Sequence, residues 1–209
     1  MKKQIISTRK LTAMALFAAI STILMYIEVP IPFMPPFLKL DVSAVPIMVG
    51  AFAFGPVEGV VMALIKSLVH LLSTQTMGVG ELADFLITGS FALTAGLIYR
   101  KNKTKKEAVI ACFASIISIT VMGTLANYFI LLPFYAVAYH MPLEAVIATC
   151  SAVNPAITSL GTYILLGIVP FNLLKGTVVA VLTFIVYKKI SVYLHKYISS
   201  INAKPNKSF

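Results

Sequence analysis

Three polar side chains lie within long apolar runs of this sequence, where an amide or a charged group is costly to bury. Asn172 and Lys175 stand three residues apart in the last run, so on a helix they share one face. Asn127 lies in the outer half of the preceding run and would face them across a cavity. Polar and ionisable residues inside a membrane span are candidates for function. Two amides and a cation in this arrangement would bind the heteroatoms of a polar ligand that enters from outside.

Each of these residues also has a structural interpretation, which the sequence leaves open. Lys175 could extend to the membrane surface or pair with a carboxylate, and Asn127 could join two helices through a hydrogen bond worth roughly 1 kcal/mol. For the carboxylates of this sequence, structural roles are the better interpretation. Glu81 and Asp84 begin the fourth run, where acidic residues suit a helix N-terminus, and Asp41 is placed to cap the second helix.

The composition predicts the elements that must position these residues. The chain has 209 residues, of which 59% are hydrophobic and 11% charged, and its mean hydropathy is +0.93. Soluble domains are typically about 25% charged, so this chain has too few charges for a soluble surface. We therefore expect an all-α membrane protein, forming a single membrane domain over residues 1–209. The disordered, collagen-like and disulfide-scaffold classes are excluded.

Six apolar runs predict six transmembrane helices, with no separate soluble ATPase domain. The runs cover residues 11–27, 42–54, 57–72, 82–99, 108–132 and 170–187. The second is short for a span, so it would be tilted, lie in a locally thinned bilayer or be completed by neighbouring protein. Residues 135–169 are expected to form an external cap or a re-entrant piece between the fifth and sixth helices.

The loop after the first helix has a possible use at the site. Four prolines between residues 30 and 36 exclude a helix there, and they lower the entropy cost of ordering an extended segment. A rigid exposed turn is one interpretation. The other is an external cap in which Phe33, Met34, Phe37 and Leu38 form an apolar lid over an outward-facing cavity.

The positive charge of the chain is an orientation signal. The chain carries 17 Lys and Arg against 7 Asp and Glu, a formal net charge of +10. With six helices and a cytoplasmic N-terminus, Lys39 lies outside, Lys66 and Lys175 lie within spans, and the other fourteen basic residues are cytoplasmic. An excess of Lys and Arg marks cytoplasmic loops. Residues 1–10 and the tail 188–209 are therefore predicted to be cytoplasmic, and no nucleic-acid partner is needed to explain the charge.

Motifs for membrane-embedded enzymology are not found in the sequence. It has no Walker, G-x-G-x-x-G, H-E-x-x-H or G-x-S-x-G pattern, and its Cys and His residues lack metal-ligand spacing. We therefore predict neither an enzyme nor an intrinsic cofactor or metal. Ala15 and Ala19 form a small-xxx-small stripe that permits close helix approach. This stripe would pack within the chain or dock onto another membrane subunit.

Six segments together resemble the substrate-binding S component of energy-coupling-factor (ECF) vitamin transporters, in particular the riboflavin-specific branch. They read RKL with the alanine stripe, FLKLDVS, FGPVEG, GELADF, NY and PFNLLKG, at residues 9–19, 37–43, 54–59, 80–85, 127–128 and 170–176. Their order and spacing extend over about residues 9–190. The external stretch between the fifth and sixth helices aligns least well.

The resemblance implies an external pocket roofed by the loop after the first helix. It also implies that Ala15 and Ala19 dock onto a transmembrane coupling subunit, which works with two cytoplasmic ATPases. By position, Asn127, Asn172 and Lys175 would hydrogen-bond a flavin. The roofing loop and the fourth helix would add contacts from Leu38, Leu40, Asp41, Asp84 and Thr88.

The expected function is that of a high-affinity riboflavin-binding subunit of an ATP-driven importer in a prokaryotic plasma membrane. Riboflavin is the expected ligand, and flavin mononucleotide (FMN) is also possible because Lys175 could favour a phosphate. The lipid bilayer, the coupling subunit and two ATPases are the expected partners. Two alternatives stay open: an S component for a different vitamin, and a self-sufficient secondary transporter.

Overall fold

The computed structural model describes residues 8–202, and the side chains as far as residue 189. The basic residues predicted to be cytoplasmic at positions 2, 3, 204 and 207 lie outside the described residues. The helices are α1 (Thr8–Met25), α2 (Ala44–Phe54), α3 (Pro56–His70), α4 (Val79–Lys101), α5 (Lys105–Ala126), α6 (Leu132–Ala138), α7 (Leu143–Val153), α8 (Leu160–Tyr163) and α9 (Val169–Asn202). Two strands, β1 (Val29–Pro30) and β2 (Lys39–Leu40), pair antiparallel.

Two π-helical segments join neighbouring helices into longer ones. The first (Asn127–Leu131) continues α5 into α6, and the second (Ile164–Ile168) continues α8 into α9. The last transmembrane helix therefore begins at Leu160, and the predicted start at residue 170 is wrong. The fifth run likewise extends to Ala138. Pro133 and Pro170 stand directly after these segments, in the first two residues of α6 and α9, and as prolines they donate no backbone hydrogen bond to the preceding turn.

Among the described residues, five helices are long and apolar enough to cross a membrane. The all-α membrane fold that composition predicts is confirmed. The remaining candidate, α2, has only 11 residues, about 16 Å at 1.5 Å per residue, against a hydrocarbon core of about 30 Å. The number of six spans therefore stays a prediction that depends on α2.

Contacts at the helix ends show the directions of the helices, and α1 and α3 run in the same direction. Lys10 Nζ lies 2.5 Å from Glu58 Oε1, so α1 and α3 begin on the same side of the bundle. Both end at the other side, where Tyr26 Oη lies 2.6 Å from Ser73 Oγ. The last turns of α4 lie on the first side, because a Cβ atom on Gly96 would lie 2.6 Å from the Cα of Pro56 at the start of α3. The hydroxyl of Tyr99 near the end of α4 lies 3.1 Å from that of Tyr187 in α9, so α9 leads back to the side where α1 begins.

The short helix α2 is the centre of the bundle. Residues 44–53 are all buried, because α1, α3, α4 and α9 surround the helix. Its ten buried residues are apolar, so it needs no polar face, and the helices around it supply the length that it lacks. This burial favours completion by neighbouring protein among the predicted alternatives.

Small residues allow α2, α3 and α4 to approach closely. A Cβ atom on Gly59 of α3 would lie 2.7 Å from the Cβ of Ala51 and 3.1 Å from that of Ala92. Such distances are shorter than van der Waals contact, so α3 fits between its neighbours only with glycine at this position. Small residues at helix interfaces are the usual means of close approach in membranes.

Replacing Gly59 with alanine is expected to destabilise the bundle by about 1–3 kcal/mol, the usual cost of overpacking. The measurement is thermal unfolding of purified protein in detergent. Gly89→Ala is the matched control, since its Cβ would have no neighbour closer than 3.7 Å. Equal melting temperatures for the two variants would contradict the close approach of the three helices.

Candidate functional site

A cavity of about 570 Å³ opens between the loop after α1 and the far ends of α3, α4, α5 and α9. It lies on the side of the bundle opposite the termini. Six of the eight residues predicted to bind ligand line it: Leu38, Asp41, Asp84, Asn127, Asn172 and Lys175. Residues as far apart in sequence as Leu38 and Lys175 therefore meet at one site.

The other two predicted residues do not line the cavity. Leu40 pairs with Val29 in the short β-ladder and is half-buried. Thr88 lies beneath the cavity, 2% exposed, with its hydroxyl 3.3 Å from Asp84 Oδ1. Thr88 thus contacts a lining residue without reaching the cavity itself.

An ion pair between Asp41 and Lys175 joins the loop after α1 to the last helix. Lys175 Nζ donates to Asp41 Oδ2 at 2.6 Å, and the two side chains are only 12% and 7% exposed. Asp41 Oδ1 also accepts from the backbone N–H of Ser43 at 2.8 Å. Burial by itself raises the pKa of Asp41, but the charges of Lys175 and Lys66 and its hydrogen bonds outweigh it. The pKa of this carboxyl therefore lies well below its ordinary value.

A second ion pair forms the floor of the cavity. Lys66 is fully buried, and its Nζ lies 2.7 Å from Asp84 Oδ2 and 3.2 Å from Ser43 Oγ. Ser21 of α1 donates to the Ser43 carbonyl at 2.5 Å. One lysine thereby links α3, α4 and the start of α2, with α1 attached through Ser21.

Helical spacing puts His70 four residues after Lys66 and Glu58 two turns before it, which predicts an internal ion pair or hydrogen bond among these three residues. The class of interaction is confirmed, but the partners are wrong. Lys66 pairs with Asp84, Glu58 pairs with Lys10, and His70 contacts Glu81. In each case the partner comes from another helix, which helical spacing along one chain segment does not indicate.

Both asparagines lie beside a π-helical segment. Asn127 begins the first, and Asn172 follows the second by four residues. Asn127 Nδ2 donates to the Gly123 carbonyl at 2.8 Å, and its Oδ1 accepts from Tyr163 at 3.2 Å. Asn172 Nδ2 donates to the Ile168 carbonyl at 2.9 Å. The extra residue of a π turn re-aims side chains and is frequent at functional sites.

Gly123 makes room for Asn172. A Cβ atom at position 123 would lie 2.6 Å from Asn172 Oδ1 and 2.7 Å from its Cγ. The same glycine accepts the hydrogen bond from Asn127. Sequence reasoning missed Gly123, and the only signal for it was its place four residues before Asn127.

A cluster of polar residues at the α3–α4 connection was also missed as part of the site. Glu81 is 6% exposed and lies 3.0 Å from His70 Nδ1. Its other oxygen accepts from Thr74 at 2.8 Å and from Thr76 at 3.0 Å. His70, Thr76 and Glu81 all line the cavity. Glu81 stands in the first turn of α4 as expected, but its carboxylate faces the interior.

The loop after α1 covers the cavity with fewer apolar residues than predicted. Phe37 and Leu38 line it, whereas Phe33 is 78% exposed and lies away from it. Met34 contacts the apolar cluster around Tyr163 and Phe171. Glu28 and Lys39, joined by a salt bridge of 2.7 Å, form part of the rim.

The alanine stripe of α1 faces outward. Ala15 and Ala19 are exposed, while Ala18 beside them is buried against the bundle. Leu16 and Ile23 extend the exposed surface, at 61% and 64%. The stripe therefore does not pack α1 against its own chain.

Comparison with known proteins defines the class. The chain matches the family described as ECF transporter, substrate-specific component, over residues 9–187. A solved structure of the S component of a bacterial ECF transporter superposes with a TM-score of 0.70 at 34% identity, covering 88% of this chain and 96% of that one. The chain therefore belongs to the family of ECF substrate-specific components. It is a multi-pass protein of the prokaryotic cell membrane, and a transport component that works with an ECF module.

Curated relatives within the family carry more specific names. The riboflavin transporter RibU of Staphylococcus aureus (strain TCH60) is 34% identical over 188 residues, covering 90% of this chain and 93% of the relative. The riboflavin transporter FmnP of Bacillus subtilis (strain 168) is 26% identical over 191 residues, covering 90% and 95%.

Stability should depend on pH through Asp41. Its folded pKa lies below the ordinary value of 3.8, so the pair stabilises the fold fully above that value and loses this contribution as the pH falls below it. Asp41→Asn leaves Lys175 buried without its partner, which costs about 3–5 kcal/mol. We expect its melting temperature to fall most, and that of the double variant Asp41→Asn/Lys175→Met to fall less.

Thermal unfolding between pH 6 and pH 3 tests both effects. The wild type should lose stability more steeply than the double variant as the pH is lowered. A single variant as stable as the wild type, or parallel pH profiles for the wild type and the double variant, would show that the pair does not hold the loop.

Proposed function

We propose that this chain is the riboflavin-binding subunit of an ATP-driven ECF importer. The observation that carries the proposal is the convergence of Asn127, Asn172 and Lys175 on one cavity, in a family whose relatives are named riboflavin transporters. The flavin would enter from the side opposite the termini, which is the outer side by the distribution of basic residues.

The three polar residues suit the edge of a flavin ring, which carries both acceptors and an N–H donor. Each amide nitrogen has two hydrogens, and the bond to a helix carbonyl uses one of them. The Lys175 ammonium has three, and Asp41 takes one. Donors thus stay available for ring carbonyls without breaking the contacts that hold these side chains. Phe37, Leu38 and Phe171 give the ring an apolar environment, as small-molecule sites require.

We further propose that import needs a transmembrane coupling subunit and two cytoplasmic ATPases, and that α1 docks onto the coupling subunit through Ala15 and Ala19. Two small exposed residues one helical turn apart allow another helix to approach the backbone closely. The surface lies beside the face of α1 that carries Met14 and Ala18, which pack into the bundle, and Ala15 and Ala19 are exposed. Docking at this surface would leave the cavity free.

Riboflavin binding is tested with purified, ligand-stripped protein. It should quench flavin fluorescence at micromolar concentrations. Gly123→Ala displaces Asn172, and the loss of its hydrogen bonds, about 1–3 kcal/mol, should weaken binding by about five- to 150-fold. Gly89→Ala, which meets no neighbour closer than 3.7 Å, should bind normally.

Failure of the wild-type protein to quench flavin fluorescence would refute riboflavin as the ligand. Quenching by another vitamin in the same assay would instead favour a different member of the family. A normal flavin affinity of Gly123→Ala would show that Asn172 does not contribute to binding.

Docking is tested by uptake into cells. Ala15→Trp/Ala19→Trp should keep flavin binding in the purified protein and abolish uptake, because the indole rings block helix approach. The matched control is Phe113→Trp/Ile117→Trp, which alters two residues with the same spacing that are 67% and 66% exposed on α5. Intact uptake in the alanine variant would refute the docking surface, and flavin uptake without any ATPase subunit would favour a self-sufficient transporter.

A further inference from the structure

The cavity has two chemically different ends. At one end Asn127 and Asn172 offer amides beside Lys175. The other end, at the α3–α4 connection, is rich in hydroxyl groups and contains one carboxylate. Tyr26 and Ser73 share a hydrogen bond of 2.6 Å there, Thr76 bonds to Glu81 at 3.0 Å, and all four residues line the cavity.

Hydroxyl groups both donate and accept hydrogen bonds, and a carboxylate accepts several. This end therefore matches a neutral polyol chain, which presents donors and acceptors alternately. If the ring of a flavin occupies the amide end, its ribityl chain has the hydroxyl-rich end as its polar surroundings. This assignment rests on the proposed function.

The charges around the cavity disfavour an anionic ligand. Among the described lining residues four are acidic (Glu28, Asp41, Glu81 and Asp84) and two are lysines (Lys39 and Lys175). Both lysines are held by carboxylates, at 2.7 Å and 2.6 Å, and Lys66 beneath the floor is held by Asp84. A phosphate would have to take a lysine from its carboxylate and leave that carboxylate unpaired.

The start of α4, where a phosphate would otherwise be favoured, is already occupied by groups of the chain itself. The N–H of Gly78 donates to Thr74 Oγ1 and that of Gly80 to Thr76 Oγ1, both at 3.0 Å. These two hydroxyls in turn donate to Glu81. The chain thus supplies its own anion at this helix terminus, and a second anion would meet the Glu81 carboxylate.

We propose that Glu81 is a specificity-determining residue that admits a neutral polyol and rejects ligands bearing a phosphate. The site then takes riboflavin in preference to FMN, contrary to the expectation from sequence that Lys175 would favour a phosphate. His70, Thr74 and Thr76 act as positioning residues that hold the carboxylate at the cavity wall.

The experiment measures dissociation constants of riboflavin and FMN by fluorescence quenching at pH 7.5. The wild type should bind riboflavin at least about ten-fold more tightly than FMN. Glu81→Gln keeps the size and removes the charge, so the ratio of the two constants should fall by about three-fold or more, chiefly through tighter FMN binding. Glu144→Gln is the matched control, because Glu144 also stands in a first helical turn but does not line the cavity; its ratio should equal that of the wild type.

The outcomes separate this inference from the proposed function. Binding of neither ligand by the wild type would refute riboflavin as ligand. If the wild type binds FMN as tightly as riboflavin, only the exclusion of phosphate is overturned. This comparison needs no variant. An unchanged ratio in Glu81→Gln would remove Glu81 as the discriminating residue. If the glutamine variant cannot be purified, Glu81→Ala provides the same comparison.

Discussion

Charge neutralisation inside an apolar bundle is the constraint on which the rest of this structure depends. A lone charge buried away from water is too costly to keep, so each lysine within the spans must meet a carboxylate. Lys175 does so by drawing Asp41 inward from the loop after α1, and Lys66 by turning Asp84 away from the helix terminus. The two ion pairs fix the position of the loop against the bundle and the orientation of α3 against α4. The cavity is the space between the two pairs.

The same constraint explains which features could be predicted from the sequence. The membrane class, the shortness of α2 and the meeting of Asn127, Asn172 and Lys175 follow from hydropathy and helical spacing, which are local properties. The partners of Lys66, Glu58 and His70 could not be predicted, because they come from other helices. The α3–α4 cluster was hidden for a related reason: an acidic residue in a first helical turn already has a sufficient explanation, so nothing indicated that Glu81 faces inward.

The helix boundaries near the site also differ from those predicted, and the cause is again physical. Proline at residue 170 was taken as the start of a helix, a place it often occupies. Here it follows a π-helical segment (Ile164–Ile168) that carries the helix back to Leu160. A π turn has no sequence pattern of its own. The positions of Leu40 and Thr88 could not be predicted for a similar reason. A shift of one residue along the chain decides whether a side chain lines the cavity or packs behind it.

The two π-helical segments have a consequence for how such a site changes over evolutionary time. Each is an insertion of one residue into an otherwise regular helix, and removal of that residue would rotate everything on one side of it by about 100°, given 3.6 residues per turn. Such a step would turn Asn127 or Asn172 relative to the helix across the segment and bring a neighbouring side chain toward the cavity. A change in helix length can thereby alter the polar groups that a ligand meets.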